Sequence, residues 1–112
     1  MRILGTPFNF QRAGGGILVN TVSVMDLRRM RFGRHRRLLD LRAPEDYRRW
    51  HPSVAENYPY ERLDQWKYRL PRDREYILIC ERGNSALRAA DELMRLGYRA
   101  AAVVGGYSWL LK

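Results

Sequence analysis

The stretch from Tyr76 to Val104 leaves this chain few ways to fold. Tyr76-Ile-Leu-Ile79 is a short apolar run that ends in Cys80 and breaks into the polar loop Glu81-Arg-Gly-Asn-Ser85. From Ser85 to Leu96 apolar residues recur at helical spacing, Gly97 is placed to cap that helix, and Ala100-Ala-Ala-Val-Val104 is a second apolar run. Strands that are apolar along their whole length are covered on both faces, so this order predicts an α/β fold with a parallel sheet between helices. Ligands bind such sheets beyond the carboxyl ends of the strands. Cys80 and Gly105 both fall at such ends.

Cys80 is the only cysteine, and it stands where a strand gives way to a loop that curls into a helix N-terminus. Backbone N–H groups and the positive end of the helix dipole converge there, which favours a nucleophilic thiolate. Arg82 adds a cation, Gly83 opens backbone conformations closed to other residues, and Asn84 and Ser85 are suited to cap the helix. The competing reading is structural, because free cysteines are commonly buried as small hydrophobes. A structural cysteine, however, needs none of those neighbours.

With 112 residues, 46% of them hydrophobic, the chain can build one core but not two. No segment reaches the roughly 18 consecutive apolar residues of a membrane span, and Met1 to Pro7 lacks the apolar centre of a signal peptide. A cytoplasmic location without membrane contact is therefore expected. One cysteine forms no internal disulfide and has no internal resolving thiol; without a Cys-x-x-Cys pair or a His/Cys cluster no metal site is expected. Twenty-one Lys and Arg against twelve acids give a net charge of +9, a field that attracts polyanions and steers small anions. The arginines concentrate in Arg28-Arg-Met-Arg-Phe-Gly-Arg-His-Arg-Arg37 and Tyr47-Arg-Arg-Trp50, where interleaved aromatics suit phosphate contact and base stacking. The plainer reading is a solvated helix face and the loop after it, since apolar residues remain at core spacing.

Elsewhere, Ser23-Val-Met-Asp26 has the form of a capped helix start, and Gly33 is placed to end that helix. Arg37-Leu-Leu-Asp-Leu41 is another buried strand, with Asp40 and Arg42 at its carboxyl end. Pro44-Glu-Asp46 opens a short helix that His51-Pro52 stops. Asn57 to Tyr60 is extended or turning, and Leu63, Trp66 and Leu70 mark an amphipathic helix ended by Pro71. Gly105-Gly106 leads into a last short helix with Tyr107, Trp109 and Leu110. Residues 1–20 are read as an N-terminal extension or first extended segment, in which Gly14-Gly-Gly16 forms a turn and matches no nucleotide-binding pattern. Residues 20–112 then form the single domain.

Leu38-Leu-Asp-Leu-Arg42, Glu45-Asp-Tyr47, His51-Pro52, Ala55-Glu-Asn57, Ile79-Cys-Glu-Arg-Gly-Asn-Ser85, Ala89-Ala90, Leu96-Gly-Tyr98 and Val104-Gly-Gly-Tyr107 follow one another in an order that resembles a single-domain rhodanese-like sulfurtransferase. The resemblance covers roughly residues 20–112. It implies a three-layer sandwich, with a central parallel sheet of about five strands and helices on both faces. It also implies that Cys80 accepts sulfane sulfur as a persulfide, that the loop Glu81, Arg82, Gly83, Asn84 and Ser85 supplies N–H donors around it, and that no cofactor takes part. Asp40 and Arg42 would brace the active-site face, Arg42 near a bound anion. Glu45 and His51 would organise the fold, with His51 as a general base the lesser alternative. Two departures stand out: Ser85 occupies a position where many members carry arginine, leaving Arg82 as the loop's cation, and Glu81 puts a negative charge beside the thiol. If it points inward, that charge opposes thiolate formation, repels thiosulfate and favours a protein persulfide as donor; if it points to solvent, its effect is screened.

The implied reaction is of the thiosulfate:cyanide sulfurtransferase kind. Sulfane sulfur would pass from thiosulfate, or from a protein or low-molecular-weight persulfide, through Cys80 to a thiol or cyanide acceptor, and a protein sulfur-relay partner is compatible with it. Two rival readings remain. A phosphatase or arsenate reductase of this scaffold uses a loop one residue longer that ends in arginine, whereas here the sixth residue after Cys80 is Ala86 and Arg88 lies further along the helix. A non-catalytic or dual-role binding module would use the surface around Arg34, Arg36 and Arg37 to dock a protein or, less readily, a nucleic acid.

Overall fold

The computed structural model describes residues 9–13 and 17–112, so the turn expected at Gly14–Gly16 lies outside the described residues. In chain order the elements are β1 (Asn9–Ala13), β2 (Ile17–Val22), α1 (Val24–Arg29), β3 (Arg36–Asp40), α2 (Pro44–Arg49) and β4 (Ala55–Asn57), then α3 (Leu63–Trp66), β5 (Glu75–Ile79), α4 (Asn84–Arg95), β6 (Arg99–Val103) and α5 (Gly106–Leu110). The sheet has the order β1-β2-β6-β5-β3-β4. Its last five members are parallel, as expected, and β1 is added antiparallel to β2. β2 pairs with β6 through Thr21 and Val22, so residues on both sides of position 20 share one strand.

The period of two along the strands sorts their side chains into two layers. Tyr76, Leu78 and Cys80 join Leu39, Leu41, Ala100 and Ala102 on the face covered by α3 and α4, where Leu63, Trp66, Ala86, Ala89, Ala90 and Leu93 meet them. Leu38, Ile77, Ile79, Ala101 and Val103 point the other way, against Leu27 of α1 and Tyr107 of α5. Every residue of β5 is buried, as its apolar sequence predicts for the middle of a covered sheet. Complete burial of side chains such as Leu39, Ile77 and Leu93 contributes about 1.5–3 kcal/mol apiece.

Three local readings are corrected. α1 starts as expected, with the Ser23 hydroxyl accepting the Asp26 N–H at 3.0 Å, but it stops at Arg29 and not at Gly33. Met30 is already extended, and extended backbone lets Met30 and Phe32, two residues apart, both reach the layer beneath α1 and α5. The helix expected from Leu63 to Leu70 is a 3-10 turn at Tyr60–Arg62 followed by the four residues of α3. Beyond it the Leu70 carbonyl accepts the Tyr98 hydroxyl and the Pro71 carbonyl accepts the Tyr76 hydroxyl, which draws the chain towards the sheet. Finally, Ala55–Asn57, not read as a strand from its own residues, pairs with Leu38–Asp40 at the sheet edge.

The arginine-rich segment divides between solvent and ion pairs. Arg28, Arg29, Arg31 and Arg34 are exposed, whereas Arg36 pairs with Glu75 at 2.5 Å and Arg37 grips both carboxylate oxygens of Glu56. Among the described residues no helix is long and apolar enough to cross a membrane.

Candidate active site

Cys80 follows the last residue of β5, and its Sγ accepts the Gly83 N–H at 3.0 Å. The loop turns that tightly because Gly83 adopts φ +101°, a left-handed conformation that a β-carbon disfavours. Gly83 is also the cap of α4, which corrects the expectation for Asn84 and Ser85: these occupy the first turn of the helix, and no side chain caps it. The first-turn amides of a twelve-residue helix are thus left without a side-chain acceptor.

A second turn holds this loop from behind. The Tyr107 N–H donates to the Cys80 carbonyl and the Ser108 N–H to the Glu81 carbonyl, each at 2.9 Å. Such an approach of α5 requires glycine at its start. A β-carbon on Gly106, where φ is +58°, would stand 2.1 Å from the Cys80 oxygen. The sequence reading placed Gly105 at a strand end but gave Gly106 no part in the cysteine loop. Gly106→Ala is expected to lower Tm by at least about 10 °C, corresponding to about 2 kcal/mol or more of strain and displaced hydrogen bonds. A thermal melt within a few degrees of wild type would contradict this.

Asp40 and Arg42 come together, but as a brace. Asp40 is fully buried and accepts hydrogen bonds from the Arg42 backbone N–H at 2.9 Å, the Arg42 guanidinium at 2.8 Å and the Tyr107 hydroxyl at 2.8 Å. The same guanidinium donates to the Trp50 carbonyl at 2.6 Å and lies 4.3 Å over the Tyr107 ring. Burial alone would lower the Arg42 pKa, but the hydrogen bond and charge of Asp40, with smaller help from Tyr107 and Glu81, leave it raised. Tyr107 is pushed up strongly, first by burial and then by the neighbouring Asp40 charge and hydrogen bond. Asn57 completes the brace, its side-chain amide donating to the Asp40 and Arg42 carbonyls at 3.1 and 3.0 Å.

In front of the thiol lies a cleft of about 400 Å³. Leu41, Arg42, Ala43 and Asp46 form one wall, and Cys80, Glu81, Arg82, Asn84 and Ser85 form the other. Cys80 is 6% exposed, whereas Glu81, Arg82 and Asn84 stand in solvent at the mouth. Asp40 is not on this lining; it sits behind Arg42. The sequence reading missed Asp46, because an acid in a helix's first turn is sufficiently explained by the dipole. His51 stacks on Tyr47 at 3.6 Å with its Nδ1 2.7 Å from the Tyr47 carbonyl, and it does not line the cleft. Among the described residues no group of three or more His, Cys, Asp or Glu is placed to hold a metal ion.

A family model described as the rhodanese-like domain matches residues 23–112. No curated protein matches the sequence with significance. Among solved structures, the chain is similar to a rhodanese-related protein from Thermoplasma volcanium, with 26% identity and a TM-score of 0.71 over 81% of this chain and 89% of that one. It is also similar to the human single-domain sulfurtransferase TSTD1, with 25% identity and a TM-score of 0.66 over 82% of this chain and 96% of that one. A third likeness, at 26% identity and a TM-score of 0.73, is to Bacillus anthracis CoADR-RHD, of which it corresponds to 16% while 82% of this chain is covered. The matched residues hold four of the five parallel strands, both helix layers and the whole cysteine loop, and on that ground the chain belongs to the rhodanese-like domain family.

Proposed function

We propose that this chain is a sulfurtransferase in which Cys80 takes up sulfane sulfur as a persulfide and hands it to a thiol or cyanide acceptor. The observation that carries the reading is the placement of the Cys80 Sγ: it lies one residue past the end of β5, accepts the Gly83 N–H at 3.0 Å and faces an open cleft at an uncapped helix start. In the first half-reaction the Cys80 thiolate attacks the outer sulfur of thiosulfate or of a persulfide, the old S–S bond breaks, and sulfite or a thiolate leaves. The bound sulfur keeps one negative charge, for which the loop and first-turn amides, those of Gly83, Asn84 and Ser85 among them, are charge-assisted donors. An acceptor then attacks that terminal sulfur and restores the thiolate. Asp40 and Arg42 position the wall opposite the loop, and residues 20–112 act as one unit. A reducing compartment such as the cytoplasm keeps the lone thiol free for this cycle.

Phosphatase chemistry is disfavoured by the same loop. The sixth position after the cysteine is held by Ala86, which is fully buried, and Arg88 is exposed on α4. Intact-mass measurement after incubation with thiosulfate, and separately with an alkyl persulfide, tests the proposal. The expected result is an increment of one sulfur atom, assignable to Cys80 as the only cysteine and removed by cyanide or excess thiol. Folded protein that gains no sulfur from either donor would sink it.

A further inference from the structure

The cleft is electrically neutral in a chain of net charge +9. Each cation at the wall or mouth has an acid beside it. Arg42 lines the cleft, yet its guanidinium is bound to Asp40, donates to the Trp50 carbonyl and leaves the side chain only 12% exposed. Asp46 faces the cleft from α2 with Arg49 at 3.2 Å. Glu81 and Arg82, adjacent and exposed, contribute one charge of each sign to the same mouth. Among the cleft's described residues Arg82 is therefore the one cation not held in an ion pair.

A dianion that leaves water for a protein site needs matching cations, whereas a single charge spread on a terminal sulfur is met by amide donors. We propose that Cys80 draws its sulfur from a singly charged alkyl persulfide, of the kind carried on a cysteine side chain, and discriminates against the thiosulfate dianion because the cleft offers it no surplus of cations, with Glu81 at the exposed mouth adding a salt-screened repulsion that weighs more on the dianion. This rests on the sulfurtransferase reading above. The chemistry balances without an oxidant or reductant: the Cys80 thiolate bonds to the outer sulfur of R–S–S⁻, the S–S bond of the donor breaks with its electron pair going to the inner sulfur, and the departing R–S⁻ takes a proton from water. The general positive field still brings anions to the surface, but no surplus of side-chain cations in the cleft focuses it on the thiol.

The test is the second-order rate of sulfur loading on Cys80, read by quenched intact mass, for thiosulfate, free cysteine persulfide and a persulfidated cysteinyl peptide. Both persulfides are expected to load wild type at least about tenfold faster than thiosulfate, with the faster of the two identifying a small-molecule or a protein source. In Glu81→Gln the thiosulfate-to-persulfide rate ratio should rise about five- to tenfold at low salt, and by less at high salt because the mouth is exposed. Equal rates for thiosulfate and the persulfides in wild type, or an unchanged ratio in Glu81→Gln, would overturn the selectivity while leaving sulfur transfer standing. Absence of loading from all three donors would remove the sulfurtransferase reading itself.

Discussion

Cys80→Ser is expected to abolish sulfur turnover, with thiocyanate formation falling at least about a thousandfold when cyanide is the acceptor. A serine hydroxyl is scarcely ionised near neutral pH, and it offers no sulfur on which a persulfide can be carried. Serine tests the chemistry without disturbing the fold, because its hydroxyl can take over the hydrogen bond that the Gly83 N–H now donates to the Cys80 Sγ. Cys80 itself is only 6% exposed at the floor of the cleft and serine differs from it by one atom, so the stability change should stay within about 1 kcal/mol. Steady-state cyanide assays on both proteins, alongside denaturation curves, separate the two effects. Turnover within tenfold of wild type would move the chemistry to another residue.

Asp40→Ala should be the most damaging single substitution for stability, costing about 3–5 kcal/mol. Its carboxylate is fully buried and is the common acceptor for the Arg42 backbone, the Arg42 guanidinium and the Tyr107 hydroxyl. Removing it leaves a mostly buried guanidinium without its counter-charge and a buried hydroxyl with no acceptor, which is far worse than losing a pair whose members reach water. Against a usual total of about 5–15 kcal/mol, that is a large share of the folding free energy. Urea denaturation reads it as a lower midpoint at unchanged slope. Asp40→Asn keeps the volume and two possible acceptor directions and should lose less, about 1–3 kcal/mol. A loss below about 1 kcal/mol for the alanine variant would show that Arg42 and Tyr107 find other partners.

What could be read in advance follows from how far each signal extends along the chain. After a charged first residue, Glu75 and Arg99, β5 and β6 are apolar to their ends, because a central parallel strand is covered on both faces, and so Tyr76–Ile79 and Ala100–Val103 announce themselves. β4 has three residues, one of them buried, and three residues carry no period. The position of Cys80 at a strand end was legible; the cap was not. Asn84 and Ser85 have the right side chains for capping, but the turn around the sulfur demands a left-handed residue one step earlier, and Gly83 supplies it. Least legible was the partner of Asp40. Tyr107 lies 67 residues away, and only the closed sheet brings its hydroxyl to the carboxylate. In the same way Asn57 looks like a turn residue until the two carbonyls it serves are seen.

The two amides of α5 that hold the Cys80 and Glu81 carbonyls tie the reactive sulfur to the whole molecule. The side chain of Cys80 belongs to the layer beneath α4, while the backbone of its loop is fastened to a helix of the opposite layer. The loop is thus a rivet through the sheet's end, clamped from both faces. Loosening either layer slackens the same few atoms, so the thiol can keep its reactive posture only while both halves of the interior are tight. A partly opened molecule would expose its one thiol but would no longer hold it ready for exchange.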